Sequence, residues 1–123
     1  MYLVGSDHPN KIIAEQVIKR LIQQRERIVT DAEVFQEILH RYTAIKRPEF
    51  IEPCFDLLRR TIDEVFPVDI DTVELARSIL LAHKDFSARD AVHVASMKVH
   101  HVFEIFTFDV DFDRIRDIFR LST

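Results

Sequence analysis

Apolar residues recur along this chain at two different spacings. Short runs of about four residues alternate with longer stretches in which Ile, Leu, Val and Phe return every three or four positions, the repeat of a helix with one face in a core. Met1 to Val4 is a first apolar run, compatible with a strand or with the first turn of a helix, and Gly5-Ser6-Asp7-His8-Pro9 comes after it. From about Pro9 the pattern is helical, with Ile12, Ile13, Val17, Leu21 and Ile22 on one stripe. Ile28-Val29 is a short strand candidate, and Thr30-Asp31-Ala32-Glu33 reads as a capping box opening a second helix. Val34, Phe35, Ile38, Leu39, Tyr42 and Ile45 form that helix's apolar face. A third helix runs from Pro48, in its N-terminal turn, to about Glu64, with Phe50, Ile51, Cys54, Leu57, Leu58 and Ile62 at helical spacing.

The second half repeats the alternation. Val65-Phe66-Pro67-Val68 reads as a strand whose proline removes a ladder donor, which points to an end or an edge. Asp69 to His83 is helical. Ser87 then caps a helix in which Ala88, Ala91, Val92, Val94, Ala95 and Val99 cover most of the circumference, the signature of a buried helix. Ile105-Phe106-Thr107-Phe108 is a nearly continuous β-type run, as in a parallel strand covered on both faces. A helical turn around Phe112 to Phe119 closes the chain. Strands alternating with helices imply a single α/β domain over residues 1–123, with a mostly parallel sheet flanked by helices in three layers.

Composition narrows the function classes. One glycine leaves no room for a glycine-rich phosphate loop, which excludes P-loop and dinucleotide folds. A lone cysteine excludes an internal disulfide and fits a reducing cytoplasm, and no run approaches the ~18 apolar residues of a membrane span. A net charge of −4 argues against broad, non-specific binding to nucleic acid, but acidic metal ligands would themselves contribute to that charge.

The candidate chemistry lies in the acids. Asp90 shares a helix stripe with Val94 and Met97, so its carboxylate runs along an apolar face and needs a cap, a cation or a metal. Asp109 directly follows the last apolar run, at a strand's carboxyl end, where open parallel sheets form their sites. Glu37 comes within two helical turns of the Ile28-Val29 strand, and its spacing to Arg41 also suits a surface ion pair. Three acids from three segments could therefore meet at one end of the sheet. Oxygen ligands of this kind suit Mg²⁺, and Asp111 or Asp113 could add a ligand through water. The alternatives on these residues alone are a capping aspartate at 90, a solvated glutamate at 37 and an acidic turn at 109–111.

Glu37-Ile38-Leu39-His40-Arg41-Tyr42, Ala88-Arg89-Asp90-Ala91-Val92-His93-Val94-Ala95 and Thr107-Phe108-Asp109-Val110-Asp111-Phe112-Asp113, in this order, resemble a PIN domain, and within that family the VapC-type toxins of toxin–antitoxin pairs. The resemblance covers essentially the whole chain. It implies a PIN-like fold and a Mg²⁺- or Mn²⁺-dependent endoribonuclease, cytoplasmic, usually a homodimer, and held inactive by an antitoxin protein. By motif match Glu37, Asp90 and Asp109 take the places of catalytic, metal-binding acids, with Asp113 as an accessory metal ligand. Thr107 falls where the family often has a small hydroxyl residue near the site, and Arg89 is a candidate contact to RNA phosphate. The family also begins with a central strand ending in a first metal-site aspartate. Met1 to Pro9 matches the segment that normally succeeds this motif, so the opening strand and its acid are expected to be missing; the other possibility is Met1 to Val4 as the strand with Asp7 as its acid. The competing function is an impaired PIN fold that pairs with itself or an antitoxin without catalysis.

Overall fold

The structure, a computed structural model, describes residues 1–3, 11–107 and 109–121. Strand β1 is Tyr2–Leu3, followed by helix α1 (Lys11–Gln23), β2 (Val29–Asp31) and α2 (Ala32–Ala44). A 3-10 turn at Pro48–Phe50 leads into α3 (Ile51–Thr61), then β3 (Glu64–Phe66), α4 (Ile70–Ala82), α5 (Ala88–Val99) and β4 (Glu104–Phe106). A second 3-10 turn, Val110–Arg114, precedes β5 (Phe119–Arg120). Every strand pairing is parallel, in the order β3-β2-β1-β4-β5. The α/β sheet expected from the alternation is therefore present, with β3 at an edge.

Side-chain alternation along the strands divides the core. Tyr2, Val29 and Ile105 occupy one register level and face α4 and α5, where they pack with Ala76, Ile79, Ala91, Val94, Ala95 and Met97. Leu3, Ile28 and Phe106 face the other way, with Ile18 and Leu21 of α1. Helix α5 is largely buried: Ala91 and His93 to Met97 are all inside. The carboxylates of Asp31 and Asp69 accept the Val34 and Thr72 amide N–H groups, and Ser87 Oγ accepts that of Asp90, so α2, α4 and α5 are each capped at the N-terminus.

Four expectations change. The centre of the sheet is filled by Tyr2–Leu3, which pairs with β2 on one side and β4 on the other. A vacant centre would have left the facing ladder groups of β2 and β4 unpaired. Asp7 and the end of that run lie outside the described residues. The cap of α2 is Asp31 rather than Thr30, which stays in the strand and donates from Oγ1 to the Leu3 carbonyl at 2.6 Å. The closing turn ends at Arg114, and Phe119–Arg120 adds a fifth strand too short to show period two in sequence. Finally, the apolar face of α2 is only partly covered. Val34 alone is buried on that helix, α3 buries none of its residues, and Leu39, Ile45, Phe50 and Leu57 are exposed. Helix α2 instead packs on α3 through a Phe35–Phe55 ring pair and on the 3-10 turn before it through Tyr42–Phe50.

Candidate active site

The chain leaves β1 toward β2 on one side, while β4 is followed by β5 on the other, so the order reverses between β1 and β4. In open parallel sheets the crevice outside the carboxyl ends at such a reversal is where ligands bind. Asp109 follows the carboxyl end of β4. Helix α5 runs back along β4, which brings Asp90, in its first turn, to the same edge. Helix α2 leaves β2 at this edge as well, with Glu37 in its second turn. Glu37, Asp90 and Asp109 thus share one end of the sheet.

A buried polar chain stands behind these acids. Asp31 lies two residues beyond Val29 on β2, so it points to the same face, toward α5. There its Oδ2 lies 2.7 Å from His93 Nδ1 and accepts the Tyr2 hydroxyl, while Oδ1 caps α2. On the other side of the ring, His93 Nε2 lies 2.9 Å from Glu37 Oε1. With a carboxylate oxygen on each nitrogen, both nitrogens donate and the ring is an imidazolium. Burial alone would depress the His93 pKa, but the hydrogen bonds and charges of Asp31 and Glu37 raise it from 6.5 to about 10. Sequence reasoning placed Asp31 only inside a capping box and His93 only as a packed helix residue. The available signals were the strand-to-helix position of Asp31 and the three-residue spacing from Asp90 to His93.

The outer acids influence one another electrostatically. Asp90 is half-buried, and its carboxyl is pushed above the ordinary range chiefly by burial, then by the negative charges of Asp109 and Glu37; the Ser87 hydrogen bond and the His93 charge oppose this. Glu33 is raised too, by burial and by Glu37 and Asp31, against His93 and the Arg89 guanidinium. Glu33 is therefore a further acid at this edge, and Arg89 lies within electrostatic reach of it. Asp109 accepts the Asp111 N–H at 2.9 Å, and its own N–H donates to the hydroxyl of buried Thr107 at 3.1 Å. Thr107 thus shapes the turn that carries Asp109. Asp113 is different: both of its oxygens accept from Arg120, at 3.1 and 3.2 Å, which ties the second 3-10 turn to β5.

Among the described residues, no three His, Cys, Asp or Glu side chains are grouped closely enough to hold a metal ion directly. The donor chemistry still suits a hard divalent ion, which needs only one or two carboxylates when water completes its shell. A cation at this edge would offset the burial that chiefly raises the Asp90 carboxyl and, to a smaller degree, the like charges of Asp109 and Glu37.

The family model described as PIN domain matches residues 1–118. Ribonuclease VapC13 of Mycobacterium tuberculosis is 48% identical over 122 residues, covering 99% of this chain and 93% of that protein. Ribonuclease VapC23 of the same species is 34% identical over 109 residues, covering 89% and 86%. Among solved structures, Mycobacterium tuberculosis VapC20, a Sarcin-Ricin loop cleaving toxin, has a TM-score of 0.74 at 19% identity and covers 95% of each chain. VapBC2 from Rickettsia felis, bound to a DNA fragment from its promoter, has a TM-score of 0.71 at 13% identity, with 99% and 98% covered. At these low identities the structural likeness speaks for the fold alone.

Proposed function

The chain belongs to the PIN-domain family, and on that premise we propose that it is a metal-dependent endoribonuclease, a VapC-type toxin neutralised by a cognate antitoxin protein. Its sequence relatives are named ribonucleases, and Glu37, Asp90 and Asp109 share one end of the sheet. The observation that carries the reading is the placement of Asp90, Asp109 and Glu37 at one end of the sheet, at the reversal of the strand order.

Asp90 and Asp109 would hold Mg²⁺ or Mn²⁺, with Glu37 acting directly or through water. When bound, the ion activates a water molecule and stabilises the leaving oxygen of the cleaved phosphodiester. The chain's own residues do the rest. Thr107 holds the turn that presents Asp109, and Arg89, exposed beside the acids, contacts RNA phosphate, a contact that positions the substrate without reading its sequence. Asp113 is left out of the ligand set because Arg120 engages its carboxylate. Partner surfaces, a second copy or an antitoxin, would cover apolar side chains that the fold leaves exposed. Among the described residues no helix is long and apolar enough to cross a membrane.

The test is cleavage of a structured RNA with Mg²⁺ or Mn²⁺, with EDTA and with the Asp90→Asn variant. Cleavage that needs the ion and falls by about 100-fold or more in D90N is the expected result. Activity that survives either change overturns the reading. A non-catalytic binding module is the second reading, favoured by the lack of a direct three-ligand group among the described residues. It is supported if the protein binds an antitoxin yet cleaves nothing.

A further inference from the structure

We infer that His93 is a positioning residue for the candidate centre, holding the Glu37 carboxylate at the metal edge through Nε2 while Asp31 holds the ring through Nδ1. The inference rests on the metal-dependent reading of the acids above. A glutamate in the second turn of a partly exposed helix would ordinarily sample several rotamers, and fixing one costs side-chain entropy. Here Oε1 of Glu37 is tied at 2.9 Å to a ring that has no freedom of its own. His93 is fully buried in α5, and its other nitrogen is 2.7 Å from Asp31 Oδ2.

The three residues close a loop between elements. Asp31 caps α2, Glu37 lies in the second turn of α2, and His93 lies on α5 three residues after Asp90. The loop fixes α2 against α5 at the position where each contributes an acid. Glu37 and Asp90 therefore keep a set relation even though no hydrogen bond joins them directly. One Glu37 oxygen is engaged by His93, and the second is the one a bound or water-bridged cation would use. A purely structural ring depends on Nδ1, through which buried Asp31 holds it, whereas a positioning ring requires Nε2.

Two amide replacements separate these roles. His93→Gln places an N–H donor where Nε2 reached, and His93→Asn places one where Nδ1 reached. Both remove the charge and bury a similar amide. Mn²⁺ binding is read by the loss of the free-ion EPR signal, beside thermal unfolding of each variant. H93N is expected to weaken Mn²⁺ binding by about 10- to 100-fold, while H93Q keeps a Mn²⁺ affinity close to wild type even though, in giving up the buried Asp31 contact, it loses more thermal stability than H93N. In a Glu37→Gln background H93N is expected to add no further loss, because it acts through Glu37. Equal Mn²⁺ affinities for H93N and H93Q, or a full additional loss in the double variant, overturn the inference.

If neither variant folds, the wild-type protein decides. The His93 ring nitrogen resonances are followed by NMR during a Mg²⁺ titration. Movement of Nε2 with the midpoint of metal binding supports the inference, and an Nε2 signal unmoved at saturation overturns it. The two levels of reading fail differently. A wild type that binds no Mn²⁺ removes the metal centre and the inference with it, whereas Mn²⁺ binding that H93N leaves intact removes the inference alone.

Discussion

Asp31→Ala is the perturbation with the largest expected effect on folding. Asp31 is fully buried, and its two oxygens accept from His93 Nδ1, the Tyr2 hydroxyl and the Val34 amide. Removing it leaves an imidazolium with one carboxylate partner in place of two, an unmatched buried hydroxyl and an uncapped helix. Loss of the cap alone costs about 1 kcal/mol. Removing one partner of a buried charge pair costs about 3–5 kcal/mol, because the remaining charge is left partly uncompensated. The two share an atom set and do not simply add, so the expected loss is about 3–5 kcal/mol. Against the ~5–15 kcal/mol of a typical domain, this removes a large share of the stability. Urea unfolding measures it: with slopes of about 1–3 kcal/mol/M, the midpoint falls by about 1 M or more. Asp31→Asn keeps an acceptor oxygen for the cap or for the ring and the hydroxyl but not for both, because its amide nitrogen donates, and its loss should be smaller than that of D31A. A D31A loss of only about 1 kcal/mol would mean that Asp31 acts as a cap alone, and the buried-pair argument would be wrong. If D31A does not fold, D31N alone decides, since wild-type stability in that variant refutes any role for the charge.

The same geometry sets three further outcomes. The His93 pKa is raised on folding from 6.5 to about 10, so the stability from its charge is full below pH 6.5 and is lost as pH rises through about 10. The difference in urea stability between wild type and H93Q should therefore shrink over that range, and a difference that widens contradicts the assignment. Asp113→Asn should leave cleavage unchanged and cost no more than about 0.2–1 kcal/mol, because its pair with Arg120 is largely exposed; a D113N variant that no longer cleaves RNA would restore Asp113 to the ligand set. Light scattering at tens of micromolar, order of magnitude, should find a dimer, and a stable soluble monomer would count against self-association as the cover for the exposed apolar side chains.

The dimer expectation now has a different basis. The family resemblance implied a dimer, and a vacant central strand would have added open edges that invite pairing. With Tyr2–Leu3 in that place, the edges of the sheet are β3 and β5, of three and two residues, and short edges of this kind are poor templates for pairing. The exposed Leu39, Ile45, Phe50 and Leu57 on the α2–α3 side are the better argument.

The order of elements was legible in the sequence because it depends on local period: the helical repeats, the capping residues at Asp69 and Ser87, and the unbroken apolar run at Ile105-Phe106 each declare themselves within a few residues. The acids at 37, 90 and 109 were legible for a related reason, since each lies close to a strand or helix boundary and together they match a family pattern. The extent of the α2 face was not, because helical spacing says which side chains share a stripe and not whether a neighbour covers it. Nor was β5, whose two residues are a strand only because β4 lies beside them. The Asp31–His93–Glu37 chain belongs wholly to the tertiary structure. Asp31 and Glu37 lie 62 and 56 residues from His93 in the chain, and each of the three has an ordinary local role, as a cap, a packed helix residue or a helix carboxylate. Only the parallel stacking of β2 beneath α5, with Asp31 and Val29 facing the same way, turns two carboxylates and a ring into one unit.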